Sequence, residues 1–392
     1  MFRFGKNKQE QPPEPPKSGG TSNNGGPTHE QVMAALSTVQ EPELGRDIVT
    51  LKMVEDVVIN NGKVSLIYVL TTPACPLRDR IRSDVTEALM KVPGVTSVDL
   101  KFDSRVPTDN QLFRTINMGA KNVVAVASGK GGVGKSTSAV NIAVALAGQG
   151  ARVGLMDADI YGPNVPMMLG IYDRPFAENN KIVPLEGYGL KVMSMGFLVP
   201  PGKALVWRGP MLHGAIRQFL SDVDWGDLDY LIVDMPPGTG DVQLSLTQSI
   251  PLTGAVIITT PQAVALDDVI RGVDAFNAVK PPVPVLGVVE TMSYFVAPDT
   301  GKRYDIFGHG GGQDMAKKLG VPFLGEVPID ARVREGGDIG QPIVAVNPEA
   351  PAAQAYLKIA QQIAAKISVI NYTRPPDENT VMAGDIPVMK RK

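Results

Sequence analysis

The residues best suited to chemistry are concentrated in one run, Gly129-Lys130-Gly131-Gly132-Val133-Gly134-Lys135-Ser136, followed by Thr137. Its spacing is G-x-x-x-x-G-K-[ST], in which glycines let backbone N–H groups close around phosphate oxygens that a side chain would hold away. Lys135 is then expected to reach β- and γ-phosphates, and the Ser136 hydroxyl to ligate Mg²⁺. Asp157 and Asp159 follow the apolar run from Arg152 to Met156, where carboxylates would organise Mg²⁺ and an attacking water. Asp234 closes Leu231-Ile232-Val233 and is expected to hold the same ion. In the segment after it, Gly238 can offer a backbone N–H to a γ-phosphate and so distinguish ATP from ADP. Cys75 is the single cysteine of the chain. It precedes Pro76, a residue suited to the first helical position, where a helix N-terminus lowers a thiol pKa. A small buried hydrophobe is the alternative at that position.

These residues need elements to position them. Val123 to Ala127 is short and wholly apolar, as in a buried parallel strand, and the helix from Ser136 to Gly148 is rich in Ala, Val, Ile and Leu. Strands are expected at Arg152 to Met156, Leu231 to Asp234, Ala255 to Thr259, Val283 to Glu290 and Val321 to Val327. Helices fit Met211 to Leu220, Ala263 to Val279 and Glu349 to Ile367. Lys181 to Met195 reads as a hairpin or an edge insertion. The β-α-β alternation implies an α/β fold with a parallel sheet flanked by helices. Upstream, the order is α-β-β-α-β. A helix spans Gln31 to Val39, Asn60-Asn61-Gly62 joins two β-rich runs, a helix covers Leu77 to Lys91 and a last strand ends at Phe102. The domains expected are a disordered tail (1–27), a small α/β domain (28–105), a linker with an apolar cluster at Leu112 and Phe113 (106–121), a nucleotide domain (122–370) and a C-terminal tail (371–392).

Composition sets outer bounds. The chain has 392 residues, of which 43% are hydrophobic and 20% charged, with a net charge of −2. No electrostatic case exists for a nucleic-acid or anionic-membrane partner. No apolar run approaches the roughly 18–20 residues of a membrane span. With one cysteine an internal disulfide is impossible, and a cytoplasmic location is the expectation.

The second loop lysine, Lys130, makes the run K-G-G-V-G-K-S, which resembles the deviant Walker A loop of the MinD/ParA/nitrogenase-iron-protein group. There the extra lysine crosses a dimer interface to the partner's nucleotide, so the resemblance implies a homodimer. With D-A-D-I-Y-G-P-N, W-R-G-P-M, V-D-M-P-P-G-T-G-D, T-T-P-Q-x-V-A-L-D-D, M-S-Y-F and G-x-V-P-I-D, the chain resembles the Mrp/ApbC family closely. E-P-E-L, D-I-V-x-L, T-T-P-A-C-P-L and P-G-V resemble the PaaD-type domain linked to iron–sulfur assembly, which favours a redox or metal-handling role for Cys75. The resemblance implies a MinD/ParA-like P-loop NTPase that hydrolyses ATP with Mg²⁺, binds an iron–sulfur cluster and delivers it to client apoproteins. It gives the first aspartate, Asp157, a part in positioning the catalytic water, and places Thr291 and Pro328 at the nucleotide.

The chain also departs from the family. Ala297 and Thr300 stand where a C-x-x-C pair would share a cluster across the dimer, and neither replaces a thiolate on iron. Thr291 replaces the usual adenine-contacting Asn, leaving one hydrogen bond where Asn makes two. Asp299, Asp305 and His309 lie nearby and are expected to be solvated loop polars. A nucleotide-switched scaffold without a cluster, closer to MinD or ParA, is the alternative function.

Overall fold

The computed structural model describes residues 26–109, 119–159, 162–198, 209–373, 380–383 and 386–389. The tail up to residue 25, Leu112 and Phe113, Ile160 and Tyr161, and Trp207 and Arg208 lie outside the described residues.

Two hydrophobic cores form. The smaller is built from α1 (His29–Leu36), β1 (Val54–Asn60), β2 (Lys63–Leu70), α2 (Arg78–Met90) and β3 (Ser97–Ser104), in the expected order. Val32 and Leu36 of α1 and Ile81, Val85 and Leu89 of α2 recur at helical spacing and cover Val64, Leu66 and Leu100 of the sheet. Asn60 pairs with Lys63. Asn61 and Gly62 between them hold φ of 48° and 82°, the left-handed pair that a tight hairpin turn needs.

The larger core surrounds an eight-stranded sheet. Its strands are β4 (Val123–Ser128), β5 (Val153–Asp157), β6 (Leu185–Gly187), β7 (Leu190–Ser194), β8 (Tyr230–Asp234), β9 (Gly254–Thr259) and β10 (Val285–Glu290). A small hairpin of β11 (Phe295–Val296) and β12 (Arg303–Tyr304) intervenes before the last, β13 (Phe323–Glu326). The order across the sheet is β6-β7-β5-β8-β4-β9-β10-β13. Every pairing is parallel except β6 with β7. Every residue of β4, β5, β8 and β9 is buried, as their unbroken apolar runs require in a sheet covered on both faces. Covering them are α3 (Lys135–Gly148), α4 (Val165–Leu169), α5 (Gly209–Ser221), α6 (Asp241–Ser249), α7 (Ala263–Ala278), α8 (Gly311–Leu319), α9 (Ala331–Ile339) and α10 (Pro351–Thr373).

The segment read as a hairpin or edge insertion is both. Phe176–Glu178 pairs with Lys181–Val183 outside the sheet, whereas β6 and β7 extend its edge. Helices α8 and α9 were not expected, because glycines at both ends or in the middle dilute their apolar pattern. Helix α10 runs to Thr373, beyond the expected end of the nucleotide domain, and Thr380–Ala383 pairs with Ile386–Met389 where no pattern was read.

The two cores meet at the loop after β2. Ala74 packs into the larger core, and Tyr230 Oη donates to Thr72 Oγ1 at 3.2 Å. Tyr230 begins β8, so the small domain sits at the N-terminal end of that strand.

Candidate nucleotide site

Because β4, β5, β8, β10 and β13 run parallel, their C-terminal ends bring distant residues to one edge of the sheet. A cleft of about 940 Å³ opens there. Lys130, Gly131, Gly132, Gly134, Lys135, Ser136, Thr137, Asp159, Thr291 and Pro328 all line it. Gly129, Val133, Asp157, Asp234 and Gly238 lie behind this lining.

The loop after β4 has its shape for identifiable reasons. Gly132 and Gly134 hold φ of 80° and 77°, conformations that L side chains rarely adopt. A Cβ at Gly132 would meet no atom within 4 Å, so it would project into the open cradle. Gly129 is needed for a different reason, since a Cβ there would stand 2.7 Å from the carbonyl oxygen of Asp268 on α7. Gly134 caps α3 without a side-chain hydrogen bond, leaving first-turn N–H groups directed at the cradle.

Lys135 is 6% exposed, and its ammonium lies among oxygens. It donates to Asp234 Oδ1 at 2.7 Å and to Ser136 Oγ at 3.1 Å, with Asp159 Oδ2 at 3.6 Å. Burial pushes the Asp234 carboxyl above the ordinary carboxylate range, and Lys135 opposes that shift. Asp234 Oδ2 is buried without a hydrogen-bond partner among the described residues. An orphaned carboxylate oxygen beside a serine hydroxyl fits a divalent cation that takes its remaining ligands from phosphate and water. Among the described residues no three His, Cys, Asp or Glu side chains converge on a metal by themselves.

The two aspartates after β5 have different surroundings. Asp157 is fully buried. It accepts from Asp159 N at 3.1 Å, Val165 N at 3.3 Å and Ser194 Oγ at 2.9 Å. Burial, and then Asp234 on the adjoining strand, push its carboxyl up to about 8. Asp157 is thus turned inward, not toward the water expected of it, and it secures the loop that carries Asp159. Asp159 is the carboxylate that lines the cleft.

Gly238 donates its N–H to Ser128 O at 3.0 Å. The Thr291 hydroxyl lies 2.6 Å from Val133 O and 2.9 Å from Thr259 O. Its single proton is therefore committed to backbone carbonyls, and it pins the phosphate loop instead of facing a base. The far end of the cleft is lined by Met167, Met168, Val333 and Ile329, with Arg334 and Asp338 at the rim. Sequence reasoning missed these residues, which α4, α9 and the segment just before α9 supply without a spacing signal.

The excursion from Tyr294 to Gly311 is gripped at its base by Glu290. This carboxylate is fully buried and accepts from Ser293 Oγ at 2.6 Å and Gly312 N at 2.5 Å. Within the excursion, Ala297 N donates to Lys302 O and Gly301 N to Ala297 O, placing Ala297 and Thr300 in the turn of the β11–β12 hairpin. Asp305 and His309 both contact the Arg303 guanidinium, which lies 4.0 Å from the centre of the Tyr294 ring.

Cys75 departs from the helix-terminus reading and follows the alternative, a partly buried side chain packed against the smaller core. Helix α2 starts at Arg78 with Leu77 as its cap, so Pro76 lies outside the first helical position. Burial pushes the thiol up to about 11, with Glu43 and Glu41 adding to the shift against a Leu77 N–H that lowers it. The loop holding Cys75 packs at Tyr230, whereas Asp234 of the cleft ends the same strand about 13 Å away by strand rise.

Comparisons with known proteins agree with this arrangement. Residues 119–364 match the family described as ParA: NUBPL iron-transfer P-loop NTPase, and residues 29–100 match FeS_assembly_P: iron-sulfur cluster assembly protein. An iron-sulfur cluster carrier protein of Synechocystis is 53% identical over 87% of this chain and 98% of its own length. One from Deinococcus radiodurans is 52% identical over 90% and 100%. A solved nucleotide-binding protein in complex with ADP from Archaeoglobus fulgidus is 38% identical, with a TM-score of 0.53, covering 60% of this chain and 92% of that one. The first match spans more than half of the chain and the two carrier proteins are identical to it at more than half of the aligned positions, so this chain belongs to the NUBPL iron-transfer P-loop NTPase family.

Proposed function

We propose that the chain is a homodimeric ATPase serving the transfer of iron–sulfur clusters to client apoproteins. The observation that carries this reading is the constellation of Lys135, Asp234, Ser136 and Asp159 around one glycine cradle. Lys135 would exchange its carboxylates for the phosphates, and Ser136 with Asp234 would hold Mg²⁺. When bound, that ion supplies charge neutralisation on the β- and γ-phosphates. Asp159, which lines the cleft, would orient the attacking water, and Asp157 keeps Asp159 in place by accepting from its backbone N–H. Lys130 lines the cleft and makes no ion pair among the described residues, which suits a role toward a second protomer.

The cargo is an iron–sulfur cluster, the group for which the relatives are named. The hairpin of this chain presents Ala297 and Thr300 in place of thiolates, so the only thiol of the chain is Cys75, at the opposite end of β8 from the cleft. The second reading, a nucleotide-switched scaffold without a cluster, draws its support from that hairpin.

One experiment separates the two. Anaerobic reconstitution with iron and sulfide, followed by iron counting, is run on wild type and Cys75→Ser. A carrier gives stoichiometric iron that falls in the variant. Substoichiometric iron, unchanged by Cys75→Ser, rejects cluster carriage while leaving ATP turnover intact. In parallel, Lys130→Ala is expected to lower hydrolysis and ATP-dependent dimerisation while nucleotide still binds.

A further inference from the structure

Gln243 is 2% exposed, and neither its Nε2 nor its Oε1 has a hydrogen-bond partner among the described residues. Protein interiors rarely leave both ends of an amide unpaired, because bonds to water given up on burial are then not replaced. The deficit belongs to the side chain alone. Its own carbonyl accepts from Thr247 Oγ1 at 2.8 Å in ordinary helical fashion.

Gln243 lies in the first turn of α6, and the segment feeding that turn is the loop from Asp234 to Gly240. This loop is tethered by the Gly238 N–H, which donates to Ser128 O rather than facing the cleft. Within this loop a Cβ at Gly238 or at Gly240 would meet no atom of the described residues within 4 Å. Unpaired buried side-chain atoms therefore flank it, Asp234 Oδ2 on one side and the Gln243 amide on the other. A cation accounts for Asp234. It does not account for Gln243, a neutral amide absent from the cleft lining whose unpaired Nε2 is a donor that no cation satisfies.

We propose that Gln243 is a positioning residue for the nucleotide reaction, unpaired in an open arrangement, in which the Gly238 N–H donates to Ser128 O, and gaining partners in a closed one, in which a triphosphate draws Gly238 off Ser128 and shifts α6. The inference rests on the reading of the cleft as an ATP site. Its physical content is that the unpaired amide raises the free energy of the open arrangement and so narrows the gap to the closed one. ADP has no γ-phosphate to draw Gly238, so the response is specific to the triphosphate.

The test uses full-length wild type and Gln243→Met, which keeps side-chain length and removes both polar ends. Without nucleotide the variant is expected to melt about 2–4 °C higher than wild type. ADP with Mg²⁺ is expected to raise both midpoints equally. The additional rise given to wild type by a slowly hydrolysed ATP analogue is expected to vanish in the variant, and kcat to fall about tenfold with KM little changed. A variant whose nucleotide-free midpoint does not rise, or which keeps the ATP-specific increment, overturns the proposal. Hydrogen exchange on wild type gives an independent check that needs no variant. Amides of residues 238–249 are expected to exchange differently with the ATP analogue than with ADP, and identical exchange also overturns it. If neither nucleotide stabilises wild type, the ATP reading falls as well. If both stabilise it alike, only the role of Gln243 falls.

Discussion

Lys135 Nζ lies 2.7 Å from Asp234 Oδ1, one side chain 6% exposed and the other not at all. The lysine expected to reach phosphate thus neutralises the carboxylate expected to hold Mg²⁺. Each charge has a counter-charge before ligand arrives, and each exchanges it for another afterwards. A buried charge without such a partner costs several kcal/mol, so the exchange keeps both states accessible.

Removing the lysine should therefore reduce stability as well as turnover. Lys135→Ala is expected to abolish detectable ATP hydrolysis and to destabilise the nucleotide-free protein by about 3 kcal/mol at pH 8. The pH dependence has a definite sign. Asp234 has a folded pKa above its unfolded one, so the folded state holds that proton more tightly than the unfolded state does. Its favourable contribution is complete below the unfolded pKa of about 3.9 and is lost as pH rises through the folded value. Without Lys135 that loss deepens, so the deficit in urea unfolding should be larger at pH 8 than at pH 5.

Asp159 lines the cleft, whereas Asp157 faces the protein interior. Asp159→Asn is expected to lower kcat by about 10²-fold or more with ADP affinity retained, the signature of a group acting on the attacking water. Steady-state kinetics beside ADP titration would show it. A loss confined to KM would shift the role elsewhere.

The Thr291 hydroxyl is spent on Val133 O and Thr259 O, so it offers no pattern of donors and acceptors to a base edge. GTP is expected to compete with ATP within about tenfold. Thr291→Val, which frees two carbonyls behind the phosphate loop, is expected to weaken both nucleotides by about 1–2 kcal/mol alike. Competition binding with the two triphosphates measures both effects.

Cys75 is half-buried, and burial holds its pKa at about 11. At pH 7.5 the thiolate fraction is correspondingly small. Alkylation by iodoacetamide is expected to run about 10²-fold slower than for an exposed free cysteine, with a tenfold rise per pH unit up to about pH 11. Fast alkylation at neutral pH would instead restore the low-pKa thiol.

Much of this site is legible in the sequence because its signals are local. The cradle needs only Gly129 to Ser136, and each carboxylate needs only a strand that ends in it. What escaped was set by packing between distant segments. No spacing reports that Ser194, on an edge strand, donates to Asp157 and turns it inward. Helix α9 hides behind Gly336 and Gly337, although it forms one wall of the cleft. The Cys75 pKa was misread because Pro76 lies two residues before the first helical residue, and burial outweighs the helix terminus.

Glu290 also has a consequence for how such a chain changes over time. One carboxylate, lodged beside the phosphate-loop pin Thr291, holds Ser293 at the entry of the hairpin excursion and Gly312 at its exit. The stretch between behaves as a cassette plugged into a fixed socket. Its contents are free to be rewritten, thiols gained or given up, while the socket and the nucleotide machinery behind it keep their geometry.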